Sequence, residues 1–383
     1  MHFILLIYLV IPPHVLTTVT IGCIANGMLT NNTDNLTRWL NTQDNETCLC
    51  YALTLNGSVV ALNVFSNGSC QLFFNYLSYK GIQINLNSTL YLLQPLPTDQ
   101  CCKNISWVLN KIENSLTSSV DVAGPLNLCI DDQDNLVTAE YYGRLIKLNR
   151  YNLTVLNRIT LLDGVGAISY NEGYYYIGSG IPGTTTAYLS IYDSHTMALI
   201  VNITGPTSYF GPIRECRFIN NNSIMIALSQ AQYSYSLLLF YQINSPTNYT
   251  LIRQLMAPTW AVYCLYKVND TFFYLTMFYT NSLIYTVQYN SFTQNWTITQ
   301  FVTLTVQPTT PASVLIDPCN RIWVADYYGG IRIYDQQGQY LTTWNTIVQT
   351  PLYMLMLDNY ELYIADDGNN RILRFVPNIQ CIV

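Results

Sequence analysis

Residues 362–375 read LYIADDGNNRILRF, and residues 322–334 read IWVADYYGGIRIY. In both stretches an apolar segment with an aromatic residue ends in Ala-Asp, a short turn with Gly follows, and a second apolar segment carries an arginine. Apolar and aromatic runs bounded by Gly, Asn and Asp are typical of β-strands joined by tight turns. Each stretch is therefore predicted to form two strands connected by a turn.

The same pattern recurs along the chain. From Gly124 onward an apolar strand, an Asp, Asn or Gly turn, a second strand with aromatic residues and a third strand follow one another six times, at a spacing of about 40 to 54 residues. That spacing is enough for four short strands, and such units bury both of their faces only by stacking around an axis. We therefore predict a mainly β protein in which residues 124–383 form a six-bladed β-propeller. The alternative, an irregular β-sandwich, predicts shorter and less regular strand spacing.

The sixth copy of the pattern is incomplete. Its third strand ends at Phe375, and the eight residues that remain are too few for a fourth strand and its turn. Because an open ring would expose a strand edge, we expect residues within 112–120 to supply the outer strand of the sixth blade. Residues 104–123 are thus predicted to be a linker that contains the closing strand.

Residues 322–334 and 362–375 resemble the NHL repeat, in which a strand ending in Ala-Asp, a Gly/Asn turn and an Arg-Ile strand follow one another. The first copy is a fair match, and the second to fourth copies are placed by their period alone. We interpret the acid–arginine pairs of the matching copies as contacts that stabilise the blades, not as acid/base dyads; they are Asp326 with Arg332, Asp366 with Arg371, and Glu140 with Arg144.

The first hundred residues differ in composition from the rest. Six of the eleven cysteines precede residue 103, a density typical of a small extracellular disulfide-bonded module, so a separate module is predicted over residues 23–103. Residues 48–53 and 62–73, with the pair Cys101-Cys102, resemble the apple/PAN family. The resemblance implies a small α+β module in which a cysteine-framed helix packs on a sheet and binds proteins or carbohydrates.

The cysteines are expected to form disulfides, because their spacing does not fit a zinc site. Cys216 and Cys264 hold the same position in neighbouring repeats and are predicted to pair, and Cys319 is predicted to pair with Cys381. Cys129 could bridge to the N-terminal module. The cysteines assigned to disulfides within that module are Cys48, Cys50, Cys70, Cys101 and Cys102. Because eleven is odd, one thiol stays free or links two copies into a covalent homodimer.

The chain carries the marks of secretion. An apolar run over residues 3–11 ends at Pro12-Pro13 and reads as the core of a signal peptide over residues 1–22. With 37 Asn and 61 Ser or Thr, chance gives roughly six Asn-x-Ser/Thr triplets, yet thirteen occur. We therefore expect an extracellular N-glycoprotein with acceptors at Asn31, Asn35, Asn45, Asn56, Asn67, Asn87, Asn104, Asn152, Asn202, Asn221, Asn248, Asn269 and Asn295.

Charge and histidine content restrict the chemistry. The net charge of −6 and the lack of a basic run argue against nucleic-acid binding and against an anionic membrane surface. No later apolar run is long enough to span a membrane. Two of the three histidines fall in the signal segment, so a zinc site or a Ser-His-Asp triad is hard to build. We therefore expect a protein that is not an enzyme and that binds no cofactor. The alternative is a Ca²⁺-dependent six-bladed hydrolase of the lactonase or esterase type, which a ring of Asp, Asn and Glu at the axis would favour.

The 32 tyrosines are the most distinctive compositional feature. Tyrosines in loops at one propeller face would form a recognition surface for an extracellular protein or glycan. The alternative is that tyrosine fills half-buried positions between blades. The candidate binding residues are Tyr141, Tyr142, Tyr174, Tyr175, Tyr233, Tyr235, Tyr327 and Tyr328. The sequence thus indicates a secreted binding glycoprotein, with the hydrolase and an extracellular self-assembling protein as alternatives.

Overall fold

The computed structural model describes residues 22–31, 37–41, 45–55, 59–74, 79–93, 102, 104–141, 143–161, 165–179, 188–204, 213–230, 236–257, 262–278, 283–303, 310–357 and 359–379. The chain divides into two compact units. The N-terminal unit comprises Met1–Asn104 with Gln380–Val383, and the ring unit comprises Ile105–Ile379. Of the predicted signal peptide, residues 1–21 lie outside the described residues.

A helix on a five-stranded sheet makes up the described part of the N-terminal unit. Its elements are β1 (Gly22–Asn31), β2 (Thr37–Asn41), α1 (Asn45–Thr54), β3 (Ala61–Phe65), β4 (Ser69–Phe73) and β5 (Tyr79–Leu92). The strand order is β1-β5-β3-β4-β2, and α1 packs on β3 and β4. A disulfide between Cys48 and Cys70 joins the helix to β4, and both cysteines are fully buried beside Leu62 and Leu72.

The ring unit begins with α2 (Ile105–Glu113) and β6 (Leu116–Asp121). Its first two sheets are β7 (Pro125–Ile130), β8 (Asn135–Glu140), β9 (Arg144–Asn149) and β10 (Val155–Thr160), then β11 (Val165–Asn171), β12 (Tyr174–Ser179), β13 (Tyr188–Asp193) and β14 (Leu199–Thr204). The third and fourth are β15 (Ile213–Ile219), β16 (Ile224–Gln230), β17 (Ser236–Ser245) and β18 (Asn248–Met256), then β19 (Val262–Asn269), β20 (Phe272–Met277), β21 (Leu283–Asn290) and β22 (Asn295–Thr303). The fifth is β23 (Pro311–Ile316), β24 (Ile322–Asp326), β25 (Gly330–Tyr334) and β26 (Tyr340–Trp344); the sixth is β27 (Pro351–Met356), β28 (Leu362–Asp366), β29 (Arg371–Phe375) and β6.

These six sheets form a closed ring. The innermost strands β7, β11, β15, β19, β23 and β27 contact one another in succession, and β27 contacts β7. Each sheet is antiparallel and has four strands, and apolar side chains fill the spaces between neighbouring sheets. The predicted repeat of four-stranded sheets is confirmed, and the five-stranded sheet belongs to the N-terminal unit.

The ring is closed by a strand from its beginning. β6 pairs antiparallel with β29, from Arg371 opposite Asp121 to Phe375 opposite Leu116. The predicted donation of an outer strand to the sixth sheet is thus confirmed, within the second half of the expected segment 112–120. Residues 112 and 113 end α2, which buries Val108 and Ile112, so the donated strand begins after them, at Leu116.

The two faces of the ring carry different connections. We call the face with the turns between first and second strands and between third and fourth strands the bottom face. The top face carries the turns between second and third strands and the links from one sheet to the next. Hydrogen bonds between the bottom ends of neighbouring sheets are Tyr175 to Asp131 (2.7 Å), Asn222 to Glu172 (3.0 Å), Arg321 to Tyr360 (2.9 Å) and Tyr363 to the Arg150 carbonyl (3.2 Å).

The predicted acid–arginine pairs stabilise top-face turns. Arg332 Nε lies 2.5 Å from Asp326 Oδ2, and Arg371 Nε lies 2.9 Å from Asp366 Oδ2. Both aspartates are fully buried. Asp326 also accepts the backbone N–H of Thr310 at 2.8 Å, so this one carboxylate binds a turn and the preceding link together. Glu140 and Arg144 form the equivalent ion pair in the first sheet.

Three disulfide predictions are wrong: the Cys216–Cys264 pair, the assignment of Cys50 to a disulfide, and the bridge from Cys129 to the N-terminal module. Cys216 and Cys264 are buried free thiols, because they lie in different apolar clusters: Cys216 packs with Tyr176 of the second sheet and Cys264 with Val314 of the fifth. Cys50 is also free, since it lies exposed on α1. Cys129 is free and half-buried; Cys102 and Cys319 are disulfide-bonded, while Cys101 and Cys381 lie outside the described residues.

Candidate functional site

Four aromatic side chains form a continuous group on the top face, which we call the top-face aromatic cluster: Tyr263, Phe278, Tyr327 and Tyr328. The Tyr263 and Phe278 rings stack at 4.7 Å with an interplanar angle of 23°. Tyr327 meets Phe278 edge to face at 5.4 Å and Tyr328 at 4.8 Å. Such pairs add attraction beyond the area that they bury, so the rings hold one another in place across two sheets.

The cluster stands on an apolar base. Leu126, Ala312 and Leu352, near the top ends of three innermost strands, are buried under it together with Phe278. Tyr263 and Tyr327 pack against this base and are partly buried. The base fixes the inner rings, while Tyr328 keeps 69% of its surface exposed.

Charged groups flank the cluster on both sides. The Arg214 guanidinium carbon lies 5.2 Å from the centroid of the Tyr263 ring, within the range of a cation–π contact. On the other side, the Tyr327 hydroxyl donates to Asp367 Oδ2 at 3.2 Å. Burial and the neighbouring Asp367 carboxyl raise the pKa of Tyr327 to about 12, and burial raises the pKa of Asp367. The phenol therefore remains a proton donor at neutral pH.

The first sheet continues this surface. Tyr141 lies in the top-face turn after β8 and is 54% exposed. Gly124 has φ +58°, and a Cβ atom there would lie 3.1 Å from Tyr141 Cβ and 3.4 Å from Asp367 Oδ1. Glycine thus permits the close approach of the first and sixth sheets at the edge of the cluster.

The structure separates the predicted binding tyrosines. Tyr141, Tyr327 and Tyr328 lie on the top face, but Tyr174 and Tyr175 begin β12 and lie at the bottom end of their sheet. The assignment of Tyr175 as a binding residue is corrected, because its ring is fully buried between the first and second sheets. Its hydroxyl donates to Asp131, as the structural alternative for tyrosine predicts. Tyr142, Tyr233 and Tyr235 lie outside the described residues.

Glu215, on innermost strand β15, lies where several sheets meet at the axis. Its carboxylate accepts from Arg217 at 2.6 Å, from Tyr353 of the sixth sheet at 3.1 Å and from the Leu265 backbone of the fourth at 3.4 Å. The Asn127 amide of the first sheet lies 3.5 Å away. The Arg217 guanidinium therefore neutralises this carboxylate, and groups that donate hydrogen bonds surround it.

This arrangement does not fit the axial Ca²⁺ of the hydrolase alternative. Calcium takes six to eight oxygen ligands, whereas the axial carboxylate is bound to an arginine. The described ranges contain no group of three or more His, Cys, Asp and Glu side chains that could hold a metal ion.

A cavity of about 460 Å³ opens among the bottom ends of the innermost strands. Arg217, Tyr353 and Ser169 line it together with Tyr266 and Lys267. Both cations are already paired, Arg217 with Glu215 and Lys267 with Asp270 at 2.7 Å. Most of the remaining lining residues are apolar, so the cavity has a mainly apolar wall with two paired cations. The aromatic cluster lies at the opposite end of the ring.

Sequence reasoning did not find Arg214, Tyr263, Phe278 or Asp367. Tyr263 and Phe278 bound a strand pair of the fourth sheet, whose sequence lacks the Ala-Asp and Arg pattern of the fifth and sixth sheets. A usable signal existed for Asp367, because it follows the Ala-Asp that ends β28 and so occupies a top-face turn. The equivalent position in the fifth sheet is Tyr327.

Comparison with known proteins supports the fold alone. No protein-family model and no curated protein sequence matches the chain. Among solved structures, the WD40 β-propeller domain of Doa1 is 12% identical with a TM-score of 0.49, covering 68% of this chain and 92% of its own. The β-propeller domain of Myceliophteria thermophila Cps50 (Swd1) is 9% identical with a TM-score of 0.49, covering 66% and 83%. Kuenenia stuttgartiensis hydrazine synthase is 10% identical with a TM-score of 0.50, covering 67% and 84%.

The described helices give no sign of a membrane span: none of them is long and apolar enough to cross a bilayer.

Proposed function

We propose that this chain is a secreted, N-glycosylated binding protein whose NHL-like six-bladed propeller recognises an extracellular protein through the top-face aromatic cluster. The observation that carries the proposal is the top-face aromatic cluster. In it the exposed Tyr328 stands on aromatic rings that the apolar base holds in place, with the Arg214 guanidinium on one side and the Asp367 carboxyl on the other. The signal-like start, the excess of glycosylation triplets and the cysteine-rich N-terminus support the extracellular location.

Binding is stronger when the side chains of the binding surface are already ordered, because less conformational entropy is then lost. Tyrosine gives a large contact area at a small loss of side-chain entropy, and interface residues that dominate binding are enriched in Tyr, Trp and Arg. The cluster is already held by its own ring contacts and by the base of Leu126 and Leu352. Binding a partner therefore orders few additional groups.

A glycan ligand is the second candidate, and the same cluster favours it. The exposed Tyr328 ring offers a face on which a sugar could stack, and the Asp367 carboxyl could accept hydrogen bonds from hydroxyl groups. The apple/PAN resemblance of the N-terminal unit adds a second candidate module for protein or carbohydrate binding. Its exposed Trp39 stacks on Phe65 at 5.5 Å.

The test uses the purified full chain on two arrays, one of immobilised extracellular protein domains and one of glycans. For each ligand found, affinity is compared between wild type, Tyr328→Ala and Phe292→Ala. Phe292 is the matched control, since it is 97% exposed in the turn between β21 and β22 on the bottom face. We expect Tyr328→Ala to weaken binding by about tenfold or more and Phe292→Ala to leave it unchanged. Equal binding of wild type and Tyr328→Ala, or loss with Phe292→Ala alone, contradicts the proposal.

A further inference from the structure

The Asn-x-Ser/Thr triplets of the ring unit are distributed unevenly between its two faces. Six triplets fall within Ile105–Ile379, at Asn152, Asn202, Asn221, Asn248, Asn269 and Asn295. Five of these lie in, or directly border, turns that connect first to second or third to fourth strands, which places them on the bottom face. The sixth, Asn202, lies within the outermost strand β14.

The top face carries no triplet. None starts in the turns between second and third strands or in the links between successive sheets, which together are the connections of that face. The top face instead carries the aromatic cluster. The strand connections of the ring unit are thus divided into an acceptor-bearing bottom face and an acceptor-free top face, with Asn202 on the outer strand of the second sheet.

The acceptor side chains are accessible. All six asparagines of the ring unit are exposed, as are Asn67, Asn87 and Asn104 before it. The side chains of Asn31, Asn35, Asn45 and Asn56 lie outside the described residues. An exposed side chain can carry a glycan in the folded protein without displacing the core, so burial blocks none of the six.

Two of the bottom-face triplets share a local geometry. Asn152 Oδ1 accepts from the backbone N–H of Thr154 at 3.0 Å and from its hydroxyl at 2.8 Å. Asn269 Oδ1 accepts from the N–H and the hydroxyl of Thr271, both at 2.9 Å. In this Asx turn the contact engages Oδ1 and not Nδ2, the atom that would carry a glycan. The turns of the bottom face also use left-handed backbone, for example at Asn221 with φ 51°, a conformation that asparagine adopts readily.

We propose that N-glycans on Asn152, Asn221, Asn248, Asn269 and Asn295 cover the bottom face, around the mouth of the axial cavity, and leave the top face bare for a protein partner. This inference rests on the extracellular location in the proposed function and specifies which face stays free. In each modification the asparagine Nδ2 is joined to the first sugar carbon in place of the lipid carrier that leaves. The donor is a lipid-linked oligosaccharide of the secretory pathway.

The experiment translates the full chain in the presence of glycosylating microsomes and maps the modified sites. Glycans are removed by peptide N-glycosidase F in ¹⁸O water, which converts each modified Asn into ¹⁸O-labelled Asp that mass spectrometry locates. We expect label at four or five of the five bottom-face positions. Label at three or fewer of these asparagines overturns the proposal. The absence of any label, because the chain does not enter the microsomes, overturns it as well.

A second variant tests whether the top face is accessible. Ile347→Thr turns Asn345-Thr346-Ile347, in which Asn345 and Thr346 are exposed and Ile347 is half-buried, into an acceptor triplet in the link between the fifth and sixth sheets. Ile347→Val is the control without a triplet. We expect Ile347→Thr alone to gain one glycan, at Asn345. If Asn345 stays unmodified while the bottom-face asparagines are modified, the top face is not free. That result overturns the proposal that the glycans leave the top face bare. Because no partner binding enters these assays, their outcome is independent of the binding test above.

Discussion

The backbone N–H of Val122 donates to the carbonyl of Asn370 at 2.8 Å and so joins the start of the ring unit to its end. Along an antiparallel strand every second N–H points to the same neighbour. The N–H of Val120 in β6 is therefore directed at β29 as well, while that of Ser119 points away from it.

This relationship predicts different effects of two prolines. Val120→Pro removes a hydrogen bond of the closing ladder and should lower the free energy of unfolding by about 2–4 kcal/mol. Ser119→Pro, one residue earlier, removes an outward N–H on an edge strand, where proline is tolerated, and should cost about 1 kcal/mol or less. Urea unfolding curves measure both values. If the two prolines destabilise equally, β6 does not close the ring.

The buried pair of Asp326 and Arg332 gives a second prediction. Asp326→Asn leaves the buried guanidinium without its carboxylate and should cost about 3–5 kcal/mol. Adding Arg332→Met removes the orphaned charge, so the double variant should recover at least half of that loss. Urea unfolding of the two single variants and the double variant forms the required cycle. A double variant that is the least stable of the set would show that the charges do not act as a pair.

The pH dependence of stability tests Asp131 at the bottom of the first sheet. Burial alone would raise the pKa of its carboxyl, but hydrogen bonds from Lys147, Tyr175 and Asn135 outweigh burial and hold that pKa below its usual value of 3.8. A carboxyl whose pKa is lowered by folding stabilises the folded state above its unfolded pKa and loses this contribution as the pH falls through the folded value.

The stability of wild type should thus fall as the pH drops below about 4. The difference in stability between wild type and Asp131→Asn should narrow over the same range. Thermal unfolding between pH 7 and pH 2 measures the effect. A gap that is constant with pH contradicts the ion pair with Lys147.

Thiol labelling distinguishes the free cysteines. Cys50 is exposed, whereas burial raises the pKa of the Cys129, Cys216 and Cys264 thiols and keeps them protonated. Iodoacetamide should therefore modify Cys50 rapidly in the native protein, the half-buried Cys129 more slowly, and Cys216 and Cys264 only after unfolding. Peptide mapping with Cys50→Ser as control measures this. A Cys216–Cys264 disulfide peptide would restore the pairing predicted from sequence. A non-reducing gel of wild type and Cys50→Ser shows whether Cys50 links two copies.

The regular part of the fold was accessible from the sequence because its signals are local. Apolar runs, Asp/Asn turns and the missing last strand of the sixth copy predicted four-stranded sheets and the donation from residues 112–120. The bounds of the N-terminal helix were not predicted: the apple/PAN resemblance implied a cysteine-framed helix without giving its position, and the helix lies at Asn45–Thr54. A disulfide and the packing of one helix face on two strands decide that position, and neither is a local property.

The candidate site was predicted only in part, and the reason is geometric. Tyr327 and Tyr328 follow a recognisable Ala-Asp strand end, so their place in a top-face turn could be inferred. Phe278 and Arg214 come from sheets whose repeats lack that motif. Phe278 meets Tyr327, and Arg214 meets Tyr263, only when neighbouring sheets pack against each other. The Cys216–Cys264 pair failed for a related reason: equal repeat position does not make two side chains face the same space.

The most direct test of the central claim adds an obstacle to the top face. In the Ile347→Thr variant produced in a glycosylating host, a glycan at Asn345 would stand on the link between the sheets that carry Tyr328 and Asp367. Affinity for the protein ligand identified on the array is measured before and after enzymatic removal of that glycan, beside equally treated wild type. Recognition through the top face predicts a loss of about tenfold or more that removal reverses, whereas full-affinity binding by the glycan-bearing variant would contradict it.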